Sequence, residues 1–286
     1  MNRELATKAR REGHFYGANQ TLIDIPLGSR FSIENVSYAA ISRISSGVYV
    51  LECEAAGNAG NQPFGVLLPI QYIAGLARAE LGAVIVPGEE EEADDALRVR
   101  YYETVNRPSF GGNIADYKQK INAMDGIGGV KVFPAWQGGG TVKCTIITSD
   151  WSEPSPLLVS EVQTAVDPTV NSGQGLGTAP IGHQVTIAGV LGVPVHVATT
   201  VTLADGVTAS QVQERIENVI DSYLADLRHS WADQEQLIVR VSLIEAAILT
   251  VTGVIDVQDT TLNLQAANIT LPAEEIPVLG TVTLDV

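Results

Sequence analysis

The sequence predicts an α+β chain, with a β-rich amino-terminal domain followed by two small helix–strand modules. Three observations predict it. Up to Pro87, short apolar stretches rich in Thr, Val, Ile and Tyr are broken by Gly, Pro, Ser and Asn, the habit of half-buried strands. From Glu89 onward, apolar residues recur every three or four positions, the period of a helix face. Helix pattern then gives way to strand pattern twice.

In chain order, Gln20–Ile25, Arg30–Ile33, Ser37–Ile44 and Val48–Glu54 read as strands, with Pro26 to Ser29 as a turn between two of them. Pro87-Gly88 ends this domain. The acidic run from Glu89 to Asp95 lacks the alternating ligands and glycine of a calcium loop. It reads instead as a helix start, where carboxylates meet the positive end of the dipole. Ala93, Leu97, Tyr101 and Val105 form one face of that helix, and Pro108 stops it. Asn113 caps a second helix with Ile114, Tyr117, Ile121 and Met124 on one stripe. Gly126, Gly128 and Gly129 end it. Val130–Val132 and Val142–Ile146 alternate as strands around a loop holding Trp136 and Gly138 to Gly140. Ser155-Pro156 opens a helix through Leu158, Val162 and Val166.

Residues Asp167 to Gly182 form a linker. Its Gly173-x-Gly175-x-Gly177 run has neither the spacing nor the context of a phosphate-binding loop. Val195 to Leu203 alternate as a long strand. Thr208 and Gln211 make a capping box for a helix carrying Val212, Ile216, Val219, Tyr223 and Leu227. Leu237–Val241 is strand-like. Ser242 and Glu245 make a second box before Leu243, Ala247 and Ile248, and Val254–Val257 resume a strand. From Leu262 the chain is extended, either a last strand or an arm. The expected division is 1–88, 89–168, a linker at 169–193, 194–260 and a tail at 261–286. Glycines between a helix end and a strand at Met124–Val132 and Val251–Val257 suggest that the two modules are an internal repeat.

With 286 residues and 45% hydrophobic content, the chain can bury a sizeable core. It carries 33 acidic against 17 basic residues, a net charge of −16. That surface repels phosphate backbones and anionic lipid, so nucleic-acid and membrane partners are not expected. Cys53 and Cys144 lie far apart and fit a reduced, cytoplasmic origin. Met1 to Arg11 is polar and basic, without the apolar stretch of a signal peptide. No apolar run reaches the length of a membrane span.

Chemistry is sparse. His14, His183, His196 and His229 sit at no zinc-ligand spacing. His196 falls on the polar face of a strand, and His229 follows a helix end next to Trp231. No nucleophile elbow occurs. Three tryptophans are few for a sugar cleft. No catalytic, cofactor-binding or metal residue is assigned, and no cofactor or small-molecule substrate is expected.

Several short motifs occur in order: Glu54-Ala-Ala-Gly-Asn-Ala-Gly-Asn61, Asp94-Asp95 with Arg98 and Arg100, Gly111-Gly-Asn-Ile-Ala-Asp-Tyr117, Gly129-Val-Lys-Val132, Gly140-Thr-Val142 and Ala179-Pro-Ile-Gly-His-Gln-Val-Thr186. Together they resemble the baseplate J-like family of contractile phage and prophage tails, over roughly residues 20–260. The resemblance implies a non-enzymatic wedge protein in the virion tail baseplate, associating with itself and with other wedge proteins around the tail tube. It supplies no catalytic residues. Relatives carry a further amino-terminal segment that is short or missing here. The modules after Glu89 are expected to be the assembly core. The competing readings are a tail-associated cell-wall hydrolase and a receptor-binding adhesin. Paired carboxylates in a cleft would mark the first, and a fibrous or sandwich-like all-β build the second.

Overall fold

The computed structural model describes residues 2–106 and 109–286. The chain forms two compact units, residues 1–150 with 154–188, and residues 151–153 with 189–286.

The first unit begins with a sheet. Its strands are β1 (Lys8–Tyr16), β2 (Arg30–Ile33), β3 (Val36–Ser45), β4 (Val48–Ala56), β5 (Gly65–Val66), β6 (Leu68–Pro69) and β7 (Arg78–Val86). Their order across the sheet is β5-β7-β1-β4-β3-β2-β6. The two outermost strands are separated by Leu67 alone. β5 pairs with β7 and β6 pairs with β2, so the segment 65–69 closes the sheet into a barrel. Closure removes the unpaired edges that an open sheet presents. Leu67 points inward and is buried with Phe15, Phe31, Tyr38, Tyr49, Leu51 and Leu81. Phe15 sits 4.9 Å from Phe31 and 5.6 Å from Tyr49, the latter edge-on.

The expected strands at Arg30, Ser37 and Val48 are present, as is the turn, where Ser29 N–H donates to Pro26 O. Gln20–Ile25 is a correction. It holds a 3-10 turn at Ala18–Gln20 and a single bridge at Leu22. β1 went unread because its composition is that of a solvated tail, KARREGHFY.

The rest of the unit is built on α1 (Asp94–Asn106), α2 (Ile114–Asn122), β8 (Ile127–Pro134), β9 (Thr141–Thr148), α3 (Pro156–Val166) and β10 (Gln184–Gly189). The sheet order is β10-β9-β8. Tyr117, Ile121, Leu158, Val162 and Val166 pack with Val130, Cys144, Ile146 and Val185. Ile85 and Val86 of β7 join the same core, so the barrel lends a strand end to this module. Asn113 Oδ1 accepts from Asp116 N–H at 2.7 Å, and Ser155 Oγ from Leu158 N–H at 3.2 Å, as the capping residues predict.

Two expectations here need correction. Gly128 and Gly129 lie inside β8 rather than before it, because β8 passes so close to β9 that a Cβ on Gly128 would stand 2.3 Å from Thr148 O. The apolar stripe of α1 is not core: Tyr101 and Val105 are more than half exposed. Pro108, read as the stop of that helix, lies outside the described residues.

The second unit comprises β11 (Leu191–Leu203), α4 (Ala209–His229), β12 (Leu237–Val239), α5 (Val241–Leu249), β13 (Val254–Leu262), β14 (Ile269–Leu271) and β15 (Glu275–Asp285). β11 is central, antiparallel to β13 and parallel to β15. The segment after Leu262 is therefore strand rather than arm. The expected capping box of Thr208 and Gln211 is formed, with Gln211 Oε1 accepting from Thr208 N–H at 3.0 Å. The buried stripe of α4 is Val212, Ile216, Ile220 and Leu224, a four-residue spacing. Val219, Tyr223 and Leu227 flank it at its margin. The second capping box is not formed. α5 starts at Val241, with Arg240 as its cap, and Asn268 Oδ1 takes the Val241 N–H at 3.0 Å.

Candidate functional site

Arg11 is the charge that sequence reading missed. It points into the barrel and is 3% exposed. Its guanidinium donates to the carbonyls of Gly60, Asn61, Pro63 and Gly82 at 2.7–3.2 Å. Burial lowers its pKa from the usual arginine value, with Tyr38 acting in the opposite sense. Tyr38 OH donates to Gly60 O at 2.9 Å, and burial pushes that phenol up to about 12. The motif from Glu54 to Asn61 is thus a loop pinned to the barrel interior, with carbonyl dipoles facing a cation. At its start, Glu54 forms a two-pronged ion pair with Arg30 on the surface, which holds the carboxyl below its ordinary range.

Other motifs converge at one end of the α2/α3 module. Gly112, in the loop before α2, has φ +86°, and a Cβ there would meet the Pro180 ring at 2.6 Å. Gly112 N–H donates to Asp116 Oδ2, which also accepts from Lys120 Nζ at 2.8 Å. Lys120 reaches on to Thr178 O at 2.9 Å. Tyr117 OH bonds His183 Nδ1 at 2.8 Å with the rings stacked. Burial, with Cys144 and Asp116 nearby, raises the Tyr117 pKa. The β8–β9 hairpin joins the group where Gln184 N–H donates to Gly140 O at 2.8 Å. Below them Asp167, 1% exposed, accepts from Ser172 Oγ, Gly173 N–H and Val185 N–H. The segment read as a linker is therefore bonded down along its length.

The three loops of this end, residues 109–115, 133–142 and 168–186, contain no Asp, Glu, Lys or Arg. They expose Phe110 (84%), Leu176 (65%) and Ile181 (83%). Trp136 is partly exposed beneath the Lys143 ammonium, 5.3 Å from its ring centre. Loops that are bonded down, carry no charge of their own and are partly apolar have the character of a contact surface.

The histidines stay apart. His14 faces Glu12 at 3.4 Å, and His196 Nδ1 bonds Thr281 Oγ1 at 2.9 Å on the polar face of β11. His229 is the last residue of α4 rather than beyond it, and it packs on Trp151 with ring centres 4.5 Å apart, not on Trp231. Trp231 is buried and its Nε1 donates to Ala273 O. Both cysteines are free and buried, and burial pushes Cys144 up to about 12. A cleft of about 300 Å³ lies between Asn58, Asn61, Gly88, Glu89, Glu90, Ser149 and Asp150. In it Glu89 accepts from Gly126 N–H, and burial raises its pKa. Among the described residues no group of three or more His, Cys, Asp or Glu is placed to hold a metal. Among them too, no helix is long and apolar enough to cross a membrane.

Comparison with known proteins places these surfaces in a family. Residues 109–189 match the baseplate J-like central domain, and residues 195–285 match the baseplate J-like protein C-terminal domain. The chain is 36% identical to the uncharacterized protein YqbT and 32% identical to the phage-like element PBSX protein XkdT, both of Bacillus subtilis (strain 168), each over 99% of this chain and 78% of the relative. It is 31% identical to baseplate protein gp47 of Escherichia phage Mu over 57% of this chain and 48% of that protein. The loop end lies wholly within the first matched domain, and the chain belongs to the baseplate J-like family.

Proposed function

We infer that this chain is a structural component of a contractile phage-type tail baseplate, located in the virion tail. The match of both baseplate J-like domains, residues 109–189 and 195–285, carries this reading. The relatives include proteins of a phage-like element and of phage Mu. The finer reading is a non-enzymatic protein that associates with other wedge proteins and with its own copies. The geometry that supports it is architectural. The polar side chains buried around the motifs, Arg11, Asp116 and Asp167, hold loop backbone in place. The division at 88, 168, 193 and 260 and the relation of the two modules as a repeat belong to the same proposal. In support of the repeat, helices pack beside a three-stranded sheet in both units, although the third strands, β10 and β15, come from the segments at 169–193 and 261–286.

Immunogold labelling of purified tails tests the location. Gold at the distal baseplate is expected, and gold along the sheath or at the head end would overturn the reading. Incubation with peptidoglycan tests the non-enzymatic part. No turnover is expected, and turnover abolished by a single Asp or Glu substitution would overturn it.

A further inference from the structure

α1 is a helix without a core. Among its described residues none is buried, and none belongs to either apolar cluster of the first unit. Val99, Tyr101, Tyr102 and Val105 are all more than half exposed. A helix of 13 residues is marginal on its own. Val99, Thr104 and Val105 lower its propensity further. Packing does not hold it in place.

Charge does. Residues 89–106 carry seven carboxylates against two arginines, so the segment repels itself. Residues 2–7 run beside its start as a strap and bring a third arginine, Arg3. Thr7 N–H donates to Glu89 O at 2.9 Å, and Glu92 N–H to Glu4 O at 3.1 Å. Thr7 O in turn accepts from Gly57 N–H at 2.8 Å, which ties the strap to the barrel loop. Arg100, in the middle of α1, reaches back to Glu92 through two bonds, of 2.8 and 2.6 Å. The same guanidinium donates to Asn2 O at 2.9 Å and faces Glu4 at 3.5 Å. The Glu92 side chain is 8% exposed, and Arg100 holds its carboxyl below the ordinary range. Arg3 pairs with Asp94 in the first turn of α1, and with Glu91 at 3.5 Å.

The barrel and α1 therefore answer differently to salt. The screening length falls from about 10 Å at 0.1 M to about 3 Å at 1 M, which weakens partly exposed pairs. Apolar burial does not depend on charge and is not weakened by screening. We propose that residues 2–7 and Arg100 form an ionic clasp that fastens α1, and that it opens and closes while both apolar cores of the first unit stay shut. The two states differ by a few ion pairs and strap bonds. A segment held so lightly is an order–disorder element, drawn from the least stable part of its unit.

Hydrogen exchange of the whole chain, read by mass spectrometry, tests it. Peptides covering 94–106 are compared with peptides from β1 and α2 in the same sample, at low salt and in about 1 M NaCl. In the native chain, salt should speed exchange in 94–106 and leave β1 and α2 unmoved. Arg100→Gln should exchange about fivefold faster in 94–106 at low salt, the upper range for one surface pair. Salt should then add little, because the clasp is already open. Arg100→Lys keeps the charge without the fork and should fall between. Arg98→Gln removes only the Arg98–Asp95 pair within α1 and should change exchange less than twofold. Four results would each overturn the proposal: no protection of 94–106 at low salt, native exchange there indifferent to salt, β1 and α2 opening together with it, or Arg98→Gln acting as strongly as Arg100→Gln. An Arg100→Gln chain as salt-sensitive as the native one would also overturn it.

Discussion

Replacing Arg11 with methionine keeps most of the side-chain volume inside the barrel and removes the guanidinium. Four backbone carbonyls, of Gly60, Asn61, Pro63 and Gly82, then lose five hydrogen bonds. Bonds from a charged donor are worth about 1.5–3 kcal/mol each when counted singly. They share one donor group and do not add. The better comparison is the loss of one partner from a buried charged pair, about 3–5 kcal/mol. At the size of this unit each kcal/mol moves the melting midpoint by about 2–4 °C, so a fall of about 10 °C is expected. Near-ultraviolet circular dichroism reports it directly, since Tyr38, Tyr49 and Phe15 lie in the same core. Arg11→Lys retains the charge and loses the planar fork, and it should fall between the two. Arg30→Ala removes an exposed ion pair with Glu54 and should leave the midpoint almost unmoved. A midpoint for Arg11→Met within about 2 °C of the native value, less than 1 kcal/mol, would refute the argument that the guanidinium holds the loop.

Other expectations follow from single groups. Burial raises the pKa of Glu89, so unfolding frees a stronger acid; its contribution to stability is lost as pH climbs from the unfolded value near 4.5 through the folded one. Glu89→Gln should therefore gain on the native protein across that window in urea titrations, and a constant difference would contradict this. Gly112→Ala forces a Cβ at φ +86° against Pro180, at a cost of about 1–3 kcal/mol; limited proteolysis should cut within 173–182 faster than in the native chain. Asp167→Asn keeps an acceptor for one of the N–H groups of Gly173 and Val185 and turns its NH2 toward the other, so it should lower stability by about 1–3 kcal/mol, read from the same titrations. The Cys144 thiol, pushed up to about 12 by burial, should resist alkylation at pH 8 until denaturant is added; rapid labelling of the folded protein would count against its burial.

Much of the secondary structure was legible because local chemistry agreed with tertiary structure. Asn113 and Ser155 cap the helices they precede. Failures occurred where a side chain does in three dimensions what its type does not announce. β1 presents Lys8, Arg10, Glu12 and His14 toward solvent and Arg11 inward, so no apolar alternation marks it. The α1 stripe has the right period, but period alone does not say whether its partner lies in the same chain. Ser242 and Glu245 fit a capping pattern, yet Asn268, distant in sequence, supplies the bond. The order of the motifs in the sequence pointed to the family. That three of them meet at one uncharged end was not legible, because Gly112, Gly140 and His183 are brought together only by the sheet.

The pairing of β11 with β15 has a consequence for synthesis. β11 starts at Leu191 and its parallel neighbour at Glu275, so on the ribosome the central strand waits with both sides open until β13 is made, and with one side open until β15 follows. Contacts this distant in sequence form slowly. Nascent chains held close on one messenger can exchange their β15 strands in that interval, since an identical strand completes a neighbour's sheet as well as its own. Slow translation between Leu203 and Glu275 lengthens the exposure, and rapid elongation shortens it.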